Sequence, residues 1–197
     1  MSHYPKASFL TSAHQPTQFF ADDGTEVAFA GRSNAGKSSA INAIVNQRNF
    51  ARTSKSPGRT QLVNFFQLRD HQRLVDLPGY GYARVPKSVQ NHWRQLMGAY
   101  FEQRKSLSGL VVVVDIRRSL GDFDWQMIDW AGQIGCSAHI LLTKSDKLKR
   151  GASISTLNQV RKEVGESVTA QLFSATKRVG VDEAREALDR MIAIDRD

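Results

Sequence analysis

The chain has 197 residues, of which 41% are apolar, enough for one ordinary domain with a sizeable buried core. Its 27 Lys and Arg against 19 Asp and Glu give a formal charge of +8, a balance that favours polyanionic partners, the plainer alternative being a well-solvated basic surface. The single cysteine, Cys136, excludes an internal disulfide and any multi-cysteine metal cluster. Neither the opening Met1-Ser2-His3-Tyr4-Pro5-Lys6 nor any later run has the apolar length of a signal peptide or a bilayer span, so a cytoplasmic protein is expected.

Residues 1–24 carry weak patterning and read as an arm packed on a single unit that spans 25–197. From Glu26 onward two periodicities alternate. Short β-rich runs fall at residues 27–30, 62–68, 74–76, 110–115, 140–143 and 171–173. Between them, Val89, Trp93, Leu96, Met97, Tyr100 and Phe101 share one helical face after a start marked by Pro86 and Ser88. Phe123, Met127, Trp130 and Ile134 repeat at the same spacing, with Asp122 as the expected cap and Gly135 as the stop. Ile154, Leu157, Val160 and Val164 form a third such stripe, and Val181, Ala184, Leu188 and Ile192 a fourth. Strands that alternate with helices predict an α/β fold: a mostly parallel six-stranded sheet in three layers, with helices on both faces. One strand should run antiparallel, because only residues 69–73 separate the second run from the third, too few for a crossover helix.

After the first strand comes Gly31-Arg32-Ser33-Asn34-Ala35-Gly36-Lys37-Ser38-Ser39, which fits the strand, GxxxxGK[ST], helix pattern of a phosphate-binding loop. Its glycines let the backbone close around phosphate oxygens, and the helix start aims N–H groups at them. Lys37 adds a charge near the β- and γ-phosphates, and Ser38 a hydroxyl for magnesium. Asp76-Leu77-Pro78-Gly79 ends a neighbouring strand: Asp76 is the acidic metal anchor, and the Gly79 N–H can reach a γ-phosphate. The base is read by Thr143-Lys144-Ser145-Asp146, after the strand at 140–143. A carboxylate there accepts bonds from the ring N–H and the exocyclic amine of guanine. Adenine offers neither pairing, and facing it would forfeit several charge-assisted bonds of about 1.5–3 kcal/mol each. Lys144 should lie along the base plane, and the N–H groups of Ser174-Ala175, after Phe173, should meet the guanine carbonyl.

With these elements in order, the chain resembles the EngB family (also YihA or YsxC) of P-loop GTPases, within the TrmE-Era-EngA-EngB-Septin-like group. The resemblance rests on Glu26-Val27-Ala28-Phe29-Ala30 ahead of the phosphate loop, on Ser56-Pro57-Gly58-Arg59-Thr60-Gln61, and on Asn64-Phe65-Phe66. It continues through Asp76-Leu77-Pro78-Gly79-Tyr80-Gly81-Tyr82-Ala83, Asp115-Ile116-Arg117, Thr143-Lys144-Ser145-Asp146-Lys147 and Phe173-Ser174-Ala175, and so spans nearly the whole chain. It implies a bacterial cytoplasmic GTPase that serves assembly of the large ribosomal subunit, with a link to cell division and septation; the motifs add magnesium with GTP and GDP as ligands, and a monomer is the default expectation. It also implies a first switch at residues 56–62, including Gly58, Arg59, Thr60, Gln61 and Leu62, with Thr60 turning to magnesium. The second switch runs from Asp76 to about Pro86.

Two departures from the commonest GTPase pattern stand out. Tyr80 occupies the place of a water-orienting glutamine and has no amide, which predicts slow hydrolysis, so the catalytic candidates reduce to Lys37, Thr60 and Gly79. Thr143 stands where many GTPases have asparagine; a hydroxyl offers fewer bonds than an amide, which predicts a weak base contact and modest guanine affinity, although the EngB family carries threonine. In related GTPases without the glutamine, an asparagine at the position of Asn34 helps hold potassium, the alternative being a bond within the loop. Lys55, Arg59, Arg84, Lys87, Arg94, Arg104 and Lys105 could meet an RNA backbone, the alternative for each being a solvated surface charge, while Arg117 and Arg118 could meet RNA or pair with neighbouring acids. A nucleotide kinase, and a GTP-dependent binding module in which hydrolysis is incidental, are the competing readings.

Overall fold

The computed structural model describes residues 3–52, 62–81 and 86–193. Seven strands form one sheet: β1 (Ser8–Ala13), β2 (Thr25–Gly31), β3 (Val63–Arg69), β4 (Gln72–Asp76), β5 (Leu107–Asp115), β6 (Ser137–Thr143) and β7 (Val168–Leu172). Their spatial order is β1-β3-β4-β2-β5-β6-β7. Five helices accompany them: α1 (Lys37–Val45), α2 (Lys87–Gln103), α3 (Asp122–Gln133), α4 (Arg150–Val164) and α5 (Val181–Ile192).

Strand faces decide the layering. On β2 and β5, Ala28, Ala30, Val112 and Val114 point to one side, where they meet Leu96 and Tyr100 of α2, Met127 of α3 and Val160 of α4. Val27, Phe29, Val111 and Val113 point to the other, against Ile41 and Ile44 of α1 and Leu188 and Ile192 of α5. Both faces of the central strands are thus covered, which is why β5 is buried along all nine residues.

The expected hairpin is present: β3 pairs antiparallel with β4, with Asn64 opposite Asp76. His71 makes the turn at φ 56°. The six-strand expectation is corrected to seven, because the amino-terminal segment contributes β1, antiparallel to β3. As an edge strand β1 buries only Ala13, so its residues lack the apolar alternation that marks an interior strand. Further along the same segment, the Phe20 and Ala21 carbonyls accept hydrogen bonds from Arg104, at 2.6 and 3.3 Å.

Arg104 itself is a second correction. Instead of facing RNA it is 6% exposed, and its guanidinium donates to the fully buried Glu26. Arg73 Nε (2.8 Å) and the Tyr100 hydroxyl (3.2 Å) donate to the same carboxylate. The helix α3 also differs at its start: Asp122 is its first residue, Gly121 is the cap, and Asp124 reaches back to the Gly121 N–H at 2.8 Å. No helix among the described residues is long and apolar enough to cross a membrane.

Candidate functional site

The carboxyl ends of β2, β4, β5, β6 and β7 lie on one edge of the sheet, and the described sequence-predicted site residues lie at those strand ends or in the segments that follow them, except Leu62, which precedes β3. From β2 the chain turns through Asn34 (φ 63°) and Gly36 (φ 98°) before α1 begins at Lys37. Both lie in the left-handed region, which glycine tolerates without strain and asparagine better than most residues. The first-turn N–H groups of α1, from Lys37 through Ser39, therefore open toward the loop's concave side without intrahelical partners. Gly36 leaves a cradle: a Cβ there would stand 3.6 Å from Thr143 Oγ1 and 3.8 Å from Lys144 Cε.

The next strand over completes this end. Asp76, 6% exposed and in register with Phe29 of β2, accepts a hydrogen bond from the Lys37 ammonium. Leu77 is buried and donates its N–H to the Phe29 carbonyl at 3.0 Å. Gly79 then runs against the phosphate loop, where a Cβ would lie 3.5 Å from Ser33 N. Tyr80 closes the contact, its carbonyl accepting from Ser33 N–H at 2.9 Å and its own N–H lying 3.4 Å from the Gly31 carbonyl. A lysine ammonium, a row of backbone N–H groups, a hydroxyl and a carboxylate are the donor set that a phosphate chain with magnesium requires, since magnesium selects hard oxygen ligands. The residues present fit that pair. Gly58, Arg59, Thr60 and Gln61 lie outside the described residues, as do Lys55, Tyr82, Ala83 and Arg84, whereas Leu62 is described and half-buried.

At the opposite end, Thr143 turns its hydroxyl inward to the Ala35 carbonyl and lies 3.0 Å from the Val114 carbonyl. It thus fastens the base loop to the phosphate loop, a role that differs from the weak base contact read from sequence. Lys144, at φ 57°, spans the same gap: its ammonium donates to the Asn34 carbonyl at 2.7 Å and pairs with Asp115 at 2.9 Å. Asp115 also takes Arg117 in a two-pronged bond of 2.9 and 2.7 Å, and first Arg117, then Lys144, hold its carboxyl well below the usual range. Arg117 is thereby spent on a neighbouring acid.

Asp146 receives the Ser174 hydroxyl at 2.6 Å and lies 3.4 Å from Lys147. The Ser174 hydroxyl chiefly, with Lys147 adding to it, holds its carboxyl below the ordinary value, so it is ionised at neutral pH as a pure acceptor. Ser145 N–H and Phe173 N–H bond to the Phe173 and Leu142 carbonyls at 3.1 and 2.9 Å, so the two base-side loops move as one. Ser174 spends its own N–H on Val179, at 2.9 Å, leaving the Ala175 N–H as the donor available from that pair.

One residue was not foreseen. Tyr80 is 3% exposed and turned into the core, where its hydroxyl donates to Asp124 at 2.6 Å and its ring packs on Trp93 and Phe123, both at 5.7 Å. Burial pushes the pKa of both partners up, with the carboxylate lifting the phenol further. Trp93 Nε1 donates to the Pro78 carbonyl at 3.1 Å, so the segment that follows Asp76 is tied to α2 and α3. The only trace in sequence was Asp124 at the third position of its helix, where it reads as part of a cap.

Residues 26–179 match the family described as 50S ribosome-binding GTPase. The chain is 52% identical over 190 residues to a probable GTP-binding protein EngB of Coxiella burnetii (strain CbuG_Q212), covering 95% of this chain and 93% of that one. With a probable GTP-binding protein EngB of Xanthomonas campestris pv. campestris (strain 8004) it shares 52% over 194 residues, or 96% and 94% of the two chains. Among solved structures, a probable GTP-binding protein engB superposes with a TM-score of 0.69 at 22% identity, over 85% of this chain and 98% of that one. Era in complex with MgGDPNP and nucleotides 1506-1542 of 16S ribosomal RNA gives 0.68 at 15%, over 90% and 59%. At such identities the two structures speak for the fold alone.

Proposed function

Because this chain belongs to the EngB family of GTP-hydrolysing enzymes, we propose that it is a cytoplasmic, monomeric, nucleotide-gated switch with slow hydrolysis that serves assembly of the bacterial large ribosomal subunit. That role is linked to normal cell division and septation. The observation that carries the nucleotide reading is the pairing of two ends: Lys37 and Asp76 beside the phosphate loop, and an ionised Asp146 held by Ser174 on the base side.

In this reading residues 25–197 form one GTP-binding domain, with residues 1–24 folded onto it. Residues Gly31 to Ser39 wrap the phosphates with backbone N–H groups, and Lys37 neutralises the β- and γ-oxygens. Ser38 and Asp76 hold magnesium, with Thr60 joining them, and bound magnesium supplies the charge that offsets what builds between the phosphates. Gly79 offers its N–H to the γ-phosphate, so loss of that group releases the second switch, while residues 56–62 form the first. Asp146 accepts from guanine, Lys144 lies along the base plane, and Ala175 donates to its carbonyl. Asn34 is exposed, and its side-chain amide has no hydrogen bond among the described residues. That leaves it available as a potassium ligand, which equal turnover in potassium and sodium would rule out.

Titrations with GTP, GDP and ATP, with and without magnesium, test the nucleotide reading. Wild type should prefer guanine by orders of magnitude, and Asp146→Asn should shift the preference toward xanthine. Equal binding of adenine nucleotides ends the reading. Affinity for large ribosomal subunits, measured with GDP, with a non-hydrolysable GTP analogue and without nucleotide, separates a switch from a passive binder, which would bind equally in all three. The passive alternative draws support from Tyr80, whose side chain is turned into the core and has no amide to place a water.

A further inference from the structure

A groove of about 650 Å3 runs between α2 and α3, on the face of the sheet away from α1 and α5. Its floor is aromatic: Phe123, Trp125 and Trp130 are half-buried, neither packed away nor fully in water. The helices meet beneath it through Trp93 on Phe123, 5.5 Å, and Phe101 on Trp130, 5.3 Å. Aromatic side chains that keep a solvent-facing side in a concave strip are the typical anchors of protein contacts. The rim carries charge of one main sign. Asp122 and Asp129 are exposed and have no ion-pair partner among the described residues, against Arg94 on α2. Helix α3 holds three aspartates and no lysine or arginine, in a chain whose net charge is +8.

This pattern selects the occupant. A phosphate backbone would be repelled by the α3 rim, and a second copy of the groove would bring the same excess of aspartate over arginine, leaving negative charge uncompensated across the contact. We infer that the α2–α3 groove is a docking site for a cationic, amphipathic polypeptide segment of a partner protein, apolar side chains seated on Trp125 and Trp130 and lysine or arginine facing Asp122 and Asp129. The inference depends neither on the nucleotide reading nor on the ribosomal one. Occupancy would also press on Phe123, one of the rings that hold Tyr80.

The test uses the full chain and its three tryptophans. Trp93 is buried, so emission changes caused by a ligand in the groove come from Trp125 and Trp130, and Trp125→Phe assigns them. The probe is a synthetic peptide of Lys and Leu at helical spacing, about 14 residues long, beside its counterpart with Glu for Lys and a single-stranded RNA oligonucleotide of similar length. The Lys-Leu peptide should give a saturable change that added salt weakens. The variant Asp122→Asn/Asp129→Asn should bind it about three- to tenfold less tightly, the range expected from two exposed charge pairs, with GTP affinity unchanged as the check on folding. The inference is overturned if the Lys-Leu peptide gives no saturable change or if the variant binds it as well as wild type. Equal binding of the Glu-Leu peptide or of the RNA overturns it too, as does emission that varies with protein concentration alone, the sign of a second copy in the groove.

Discussion

Replacing Tyr80 by phenylalanine removes one oxygen from a buried cluster and leaves its ring contacts with Trp93 and Phe123 in place. What disappears is the 2.6 Å bond to Asp124, a carboxylate only 1% exposed whose second oxygen is taken by the Gly121 N–H. Hydrogen bonds to charged groups contribute about 1.5–3 kcal/mol, and here water cannot replace the lost donor, so Tyr80→Phe should cost about 2 kcal/mol. For a chain of this size that lowers Tm by roughly 4–8 °C. The pH dependence has a fixed sign. Burial already raises the Asp124 carboxyl above its usual value while the phenol opposes the rise; without the phenol it rises further. A raised carboxyl adds stability as pH falls through its folded value, so the deficit should be smaller at acidic than at alkaline pH. Urea unfolding at both pH values reads this, with the same substitution on an Asp124→Asn background costing clearly less. GTP turnover per folded molecule should stay within about twofold, because the phenol points away from the phosphate loop. A cost below about 0.5 kcal/mol, or one indifferent to Asp124, refutes the account.

Arg104→Met should destabilise by about 3 kcal/mol, the lower end for breaking a buried ion pair because Arg73 still faces Glu26; urea midpoints give the loss, and residues 20–21 should become susceptible to limited proteolysis as their carbonyls lose a partner. Burial pushes His139 down to about 4, so its contribution is intact above pH 6.5 and is lost as pH falls toward 4, by roughly 3 kcal/mol in all. His139→Gln should flatten that slope in denaturant titrations across the window, and an unchanged slope would contradict the assignment. Gly79→Ala meets only ordinary contact distances at Ser33 and Gly31, so the fold should tolerate it. It should weaken GTP by about tenfold or more while GDP holds within about twofold, measured by equilibrium titration.

Interior strands were legible because they are short apolar runs closed by a polar residue: Asp115 ends β5, Thr143 ends β6, and Asp76 ends β4. The phosphate loop was legible for the same reason, since its glycine and lysine spacing encodes backbone shape directly. Features made by distant pairs were not. Arg104 looks like a surface charge until Glu26, 78 positions earlier, is set against it. Tyr80 looks like a missing glutamine until Asp124, 44 positions later, takes its hydroxyl. Thr143 looks like a poor base ligand until Ala35 is brought to it by the parallel crossover, 108 positions away. Edge strand β1 escaped because one buried side chain in six gives no alternation to detect.

That edge strand has a consequence for how the chain is made. Ser12 bonds to Asn64 across a separation of 52 residues, and the whole of β1 pairs only with β3. During synthesis at about 5–20 residues per second, β1 waits roughly 3–10 s before its partner has been polymerised. In that interval its unpaired backbone is open to chaperones and to strands of neighbouring nascent chains. The earliest-made strand of the sheet therefore takes its place on the rim only once β3 has been made.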